Sequence, residues 1–218
     1  MKNISLNAIV MCADGNYGRI SHIIINPVRE VITHIVVQSD RLQGSRQRLV
    51  PFERIVEATH KSIWLKCTSK ELAAMEKFTE IHFINSDEAE YVAFSSTDNY
   101  ISDEINLDSI FPYFNSDAGF YSVAVEEERI PDGAIAIHRS ASVRANDGFV
   151  GRIDKFITDS LGQITYLMVR QGHWDKRELT LPLSAVDRLD EYIIELNLDK
   201  KTLKSLPAIP LKPMYSLS

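Results

Sequence analysis

This chain of 218 residues is short of several things, and each shortage closes off a class of answer. Two cysteines, Cys12 and Cys67, are too few for a disulfide scaffold and, without histidine help, for a zinc site. Both sit in apolar, strand-like contexts and read as buried free thiols, which fits a reducing, cytoplasmic compartment. No run approaches the ~18 uninterrupted apolar residues of a membrane-spanning helix. The opening MKNISLNAIVMCADG lacks the apolar stretch and small-residue cleavage site of a secretory leader, so none is expected. Cationic surplus is missing too. The net charge is −6, whereas nucleic-acid-binding surfaces are usually basic. The histidines (His22, His34, His60, His82, His138, His173) show no metal-ligand spacing on one element, and no nucleophile elbow, P-loop or dinucleotide fingerprint occurs. No catalytic residue, cofactor or metal ligand is expected. The chain reads as a non-enzyme.

What is present is repetition. DGNYGRISHIIINP, ending at Pro27, returns as DGFVGRIDKFITDS, ending at Ser160. Asp14, Gly15, Gly18, Arg19, Ile20 and Ile24 recur as Asp147, Gly148, Gly151, Arg152, Ile153 and Ile157, all 133 residues later. The match continues with small slips through Ile32–Val37 and Ile164–Val169, Leu49–Pro51 and Thr180–Pro182, Ile63 and Ile194, Leu65 and Leu196, and Leu72 and Leu203. This places one repeat in residues 1–78 and another in 132–218, with a connector over 79–131.

Inside each repeat the signals are those of β-structure: dense β-branched residues, partial alternation of apolar and polar positions, and turn residues between the runs. The Asp-Gly pairs mark tight turns, because glycine reaches positive φ without a Cβ clash. Gly18 and Gly151 fall inside the following strand, where glycine marks a bulge, a sharp bend or a close backbone approach. Each repeat ends in a predicted short helix, N-capped by Ser69 in the first and Asp199 in the second. The expected fold is mostly β: two small barrels, each curling up on its own at one end of the chain. Asp14 and Asp147 are read as bonding their own turn backbone. Arg19 and Arg152 are also read as structural.

The connector holds 12 acidic residues against one arginine, Arg129, and nine of the chain's 19 aromatics. Disordered acidic tracts are poor in aromatics, so much of it is expected to be ordered and packed. Two loops offer contact residues. One puts His173, Trp174, Asp175 and Arg177 between strands, and tryptophan and arginine are enriched in binding hot spots. The other carries Arg41, Arg46 and Arg48, guanidinium groups suited to clamping carboxylates or phosphates.

The pattern as a whole resembles the PRC-barrel family: a DG-xx-G-x-I strand, an extended turn, an I-T-x-x-x-V strand, a variable loop, a strand ending in proline, then a short strand and a helix. The resemblance covers residues 6–76 and 139–206, and it is strongest over VGRIDKFITDSLGQITYLMVRQ in the second copy. It implies a docking module of the kind found in the photosynthetic reaction centre H subunit and in a ribosome maturation factor. The expected function is a non-enzymatic adaptor that binds another protein, at a membrane-complex surface or a ribosomal protein. Nucleic acid is the disfavoured partner. The alternative is a ribosome- or RNA-associated maturation factor using the Arg41/Arg46/Arg48 loop. A homo-oligomer stays open, and the two repeats are expected to meet through equivalent faces.

Overall fold

The computed structural model describes residues 1–40, 47–59, 61–85, 122–171 and 177–205. The first repeat supplies β1 (Lys2–Ser5), β2 (Ile9–Cys12), β3 (Gly15–Asn26), β4 (Val31–Ser39), β5 (Gln47–Pro51), β6 (Ile55–Ala58), β7 (Ser62–Leu65) and helix α1 (Ser69–Ala73). An antiparallel pair follows, β8 (Thr79–Asn85) with β9 (Ser122–Glu128). The second repeat supplies β10 (Ile135–His138), β11 (Ser142–Ala145), β12 (Gly148–Thr158), β13 (Ile164–Gln171), β14 (Arg177–Pro182), β15 (Val186–Leu189), β16 (Ile193–Leu196) and helix α2 (Lys200–Ser205).

Residues Met1–Phe78 and Ile130–Ser218 form one compact unit, and Thr79–Arg129 forms a second. In the second unit β8 and β9 pair from Thr79 opposite Glu128 to Asn85 opposite Ser122, and Arg129 bridges to Glu80. Residues 86–121, the greater part of the acidic connector, lie outside the described residues. No described helix is long and apolar enough to cross a membrane.

The first unit is built from two seven-stranded sheets of the same strand order. One runs β6-β7-β2-β3-β4-β5 and the other β15-β16-β11-β12-β13-β14. The seventh strand of each is borrowed. β1 pairs with β12 of the second repeat, from Lys2 opposite Thr158 to Ser5 opposite Lys155. β10 pairs with β3 of the first repeat, from Ile135 opposite Ile25 to His138 opposite His22. Every one of these residues maps onto its counterpart at the 133-residue spacing. The expectation that each repeat curls up independently is thus corrected: the two exchange their first strands about a pseudo-two-fold axis. The reason is local. β3 and β12 are 12 and 11 residues long, while β2 and β11 are only four, so half of each long strand needs a second neighbour.

The connecting turns repeat the exchange. Ile32 N donates to Gly162 O and Ile164 N to Glu30 O, both at 2.9 Å, around a bridge between Val31 and Gln163. One hydrophobic core runs through both repeats and includes Ile4 and Phe156 from one exchanged pair and Ile137 and Ile23 from the other. Burying a side chain such as Ile4 or Ile137 stabilises the fold by roughly 1.5–3 kcal/mol. The repeats therefore meet through equivalent elements.

Gly18 and Gly151 sit beside β-bulges, and each lies under a neighbouring backbone. A Cβ at Gly18 would stand 1.9 Å from Gln38 O, and one at Gly151 2.4 Å from Arg170 O. The Asp-Gly turns carry positive φ at Gly15 and Gly148 as expected. Their aspartates do something else. Asp14 Oδ1 accepts from Ser69 N at 2.8 Å, and Asp147 Oδ1 from Lys200 N at 3.0 Å, so each ties its turn to the start of the terminal helix. The helix donors are unpaired within the helix and carry the positive end of its dipole, which makes them better partners than the turn's own amide. With Ser69 so engaged, the cap of α1 falls one residue earlier, on Thr68, in a capping box with Glu71. Asp199 accepts from Thr202 N at 2.7 Å, as an N-cap residue does.

Candidate functional site: a basic groove across the repeat junction

Where β1 meets β12, a groove of about 1000 Å³ opens between the repeats. Leu6 N donates to Asp154 O at 3.0 Å on one side, and its counterpart Arg139 N donates to Ser21 O at 3.0 Å on the other. Three pairs of equivalent residues line it: Leu6 with Arg139, Asn7 with Ser140, and Arg19 with Arg152. The groove therefore lies across the line that relates the two halves.

Among the described residues its walls carry five cations, Arg19, Lys61, Arg139, Arg152 and Arg170, against one carboxylate, Asp154. All five are solvent-exposed. Asp154 is already taken: it pairs with Arg170 and stands 3.6 Å from Lys155 Nζ. Arg19 Nη1 lies 3.5 Å from Asn7 O, a long contact to a neutral acceptor. Among the described residues, Arg19, Lys61, Arg139 and Arg152 have no ion-pair partner. Like charges gathered in a concave surface focus the field and raise the local concentration of anions. Guanidinium groups offer planar arrays of N–H donors that match the two oxygens of a carboxylate.

Phe149 forms part of the same wall and is 55% exposed. It also lines a smaller cavity of about 480 Å³ that holds Arg144, Asp187 and Glu195. These last three mark a difference between the repeats. In the first repeat the same positions carry Met11, Val56 and Trp64, with Met11 beside Trp64 just as Arg144 stands beside Glu195. Val56 and Trp64 are both exposed, so one repeat presents an apolar outer face and the other a charged one.

Of the residues expected from sequence, Arg48 falls elsewhere. Arg48 is buried; its Nε donates to Ala73 O at 2.9 Å and its Nη1 to Gln47 O at 3.3 Å, which secures the end of α1 to β5. Arg177 opens β14 opposite Gln171. Arg41, Arg46, His173, Trp174 and Asp175 lie outside the described residues. The groove cations escaped sequence reasoning because they come from five separate segments. One signal was available: Arg19 and Arg152 are the same residue in both copies, on exposed positions of strands where a core role cannot explain the repetition.

Cys12 and Cys67 are both free and buried, with the Cys12 thiol pushed up to about 12, chiefly by burial and then by Cys67. They are inert packing residues at neutral pH. No family model matches the chain, and no curated protein matches it.

Proposed function

We propose that this protein is a non-enzymatic adaptor made of two PRC-barrel-like repeats, and that it holds an anionic segment of another protein in the groove at their junction. The observation that carries the reading is the excess of exposed cations there, four of them without a carboxylate partner among the described residues. Fixed charge of this kind gives encounter rate and orientation to a complex. Support for the family resemblance comes from the shared strand order of the two sheets, the repeated Asp-Gly turns and the glycines at the strand bulges. Those bulges bend the long strands, which suits the closing of each sheet towards a small barrel. A cytoplasmic setting fits two free, buried thiols.

RNA is the second reading, and the same groove favours it. Against it stands the net charge of −6, which repels a strand charged at every nucleotide more than a protein segment with a few carboxylates. Affinity purification from the native cell separates the two. The wild type is compared with an Arg139→Glu/Arg152→Glu double variant, with and without nuclease. The adaptor reading expects a protein partner that survives nuclease and is lost in the variant. Recovery that nuclease abolishes, or the same proteins on both baits, contradicts it.

A further inference from the structure

The groove is unevenly built, and the unevenness describes its ligand. Phe149 is an exposed apolar side chain in a wall where Leu6 and Ile153 are buried, at a position that is Asn16 in the first repeat. It lies opposite Arg144 in the β11–β12 ladder and keeps more than half of its surface in water. A phenyl ring is a large apolar platform, and contact with a second apolar or aromatic group removes both from water. In the groove it lines with Arg139, Arg152 and Arg170 stands one carboxylate, Asp154; in the smaller cavity it also lines, Asp187 and Glu195 outnumber Arg144.

Resting on the adaptor reading, we infer that the groove takes an extended acidic protein segment that also carries one aromatic or large aliphatic residue. Its carboxylates lie on Arg19, Arg139 and Arg152, and its apolar side chain lies on Phe149. A nucleic acid fits the arrangement less well. Its phosphates continue at every residue, so a strand that stacks a base on Phe149 carries charge onward into a cavity where Asp187 and Glu195 outnumber Arg144. A peptide changes character from one residue to the next, and can be acidic in the groove and neutral or basic in the cavity.

The test is fluorescence anisotropy with the full-length protein and labelled peptides of about twelve residues, at about 50 mM salt where exposed charges are least screened. The first peptide is glutamate-rich with one central tryptophan, the second has alanine for that tryptophan, and the third has glutamine for every glutamate. A single-stranded RNA of the same length is the fourth probe. The first peptide is expected to bind the wild type about tenfold tighter than the second, the size of effect one well-placed aromatic contact gives. The third is expected to show no binding. Phe149→Ala should erase the difference between the first two without weakening the second, and Phe149→Leu should restore part of it. Arg139→Ala/Arg152→Ala should weaken both by about tenfold or more. Equal affinity of the first two peptides for the wild type, or a preference that survives Phe149→Ala, overturns the inference while the adaptor reading stands. No binding of either acidic peptide overturns both. RNA binding tighter than the first peptide overturns both in favour of a nucleic-acid partner.

Discussion

The two repeats share a skeleton and differ in surface. Positions that set the backbone are the same in both: Asp14 and Asp147 at the helix starts, Gly18 and Gly151 under a neighbouring strand, Ile24 and Ile157 in the exchanged ladders. Several exposed positions have diverged: Asn16 against Phe149, Lys61 against Tyr192, Val56 and Trp64 against Asp187 and Glu195. The exchanged strands also end differently. His138 lies opposite His22, whereas the matching position pairs Ser5 with Lys155. The contrast teaches where to look for function. What both copies keep in the buried and turn positions is needed to fold; what they keep on the surface, as at Arg19 and Arg152, and what one copy has alone are free to recognise something.

The strongest way to break this comparison is at the shared glycines. Gly18→Ala and Gly151→Ala each force a Cβ against a carbonyl oxygen, and each should cost about 3 kcal/mol or more, with Gly18 the worse because its approach is closer. Denaturant titration measures both; a loss under about 1 kcal/mol at either position contradicts the close-approach account.

Next in size is the asymmetry at the strand ends. His22 is buried against Phe78 and His138, and its pKa is pushed down to about 4, first by burial, then by His138 and Arg139. A depressed folded pKa means that the native state favours the neutral ring. The stabilisation is complete above the unfolded value near 6.5 and is lost as pH falls towards 4, by at most about 3 kcal/mol. The His22→Gln variant should therefore show a flatter stability–pH curve than wild type between these limits. Curves that stay parallel would mean that His22 does not titrate in the fold.

The helix ties are smaller. Asp14→Ala and Asp147→Ala should each cost about 1 kcal/mol, the usual worth of a carboxylate on helix N-terminal amides, and the two losses should be similar. A loss confined to one copy would show that the equivalence is geometric only.

The smallest effect reverses sign between the copies. Glu30 has a φ of +55°, a left-handed conformation, where the second repeat has Gly162 at +91°. Glu30→Gly should stabilise by about 0.5 kcal/mol, since relief of the left-handed strain outweighs the extra freedom of an unfolded glycine. Gly162→Ala should destabilise, because its Cβ would meet Ile32 O at 2.8 Å and the Phe52 ring at 3.1 Å. Thermal melts of the two variants should shift in opposite directions.

Much of the skeleton was legible in the sequence because its signals are local. Asp-Gly announces a turn wherever it falls, and Gly18 and Gly151 announce a bulge by interrupting a β-branched run. The exchange of β1 and β10 was not legible. Each is a four-residue strand, and Asn3 finds its partner at Ile157; nothing in a short alternating run says which sheet it will join. The tie from Asp14 to Ser69 was not legible for the same reason, since it depends on a helix that begins 55 residues later. The groove was invisible because charge was read in windows along the chain. Arg48 drew notice as part of a basic loop and turned out to hold α1, while Arg139 drew none and stands in the groove.

Everything functional here depends on the repeats being one folding body, since the groove exists only where they join. Native-state hydrogen exchange on wild type and Ile137→Ala tests this directly. Ile137 belongs to the second repeat in sequence but packs in the sheet of the first, and its truncation should cost about 2–5 kcal/mol. The reciprocal exchange predicts that amides of β3 and β12 lose protection together and by the same amount. Loss of protection in β3 alone, with β12 unchanged, would contradict it.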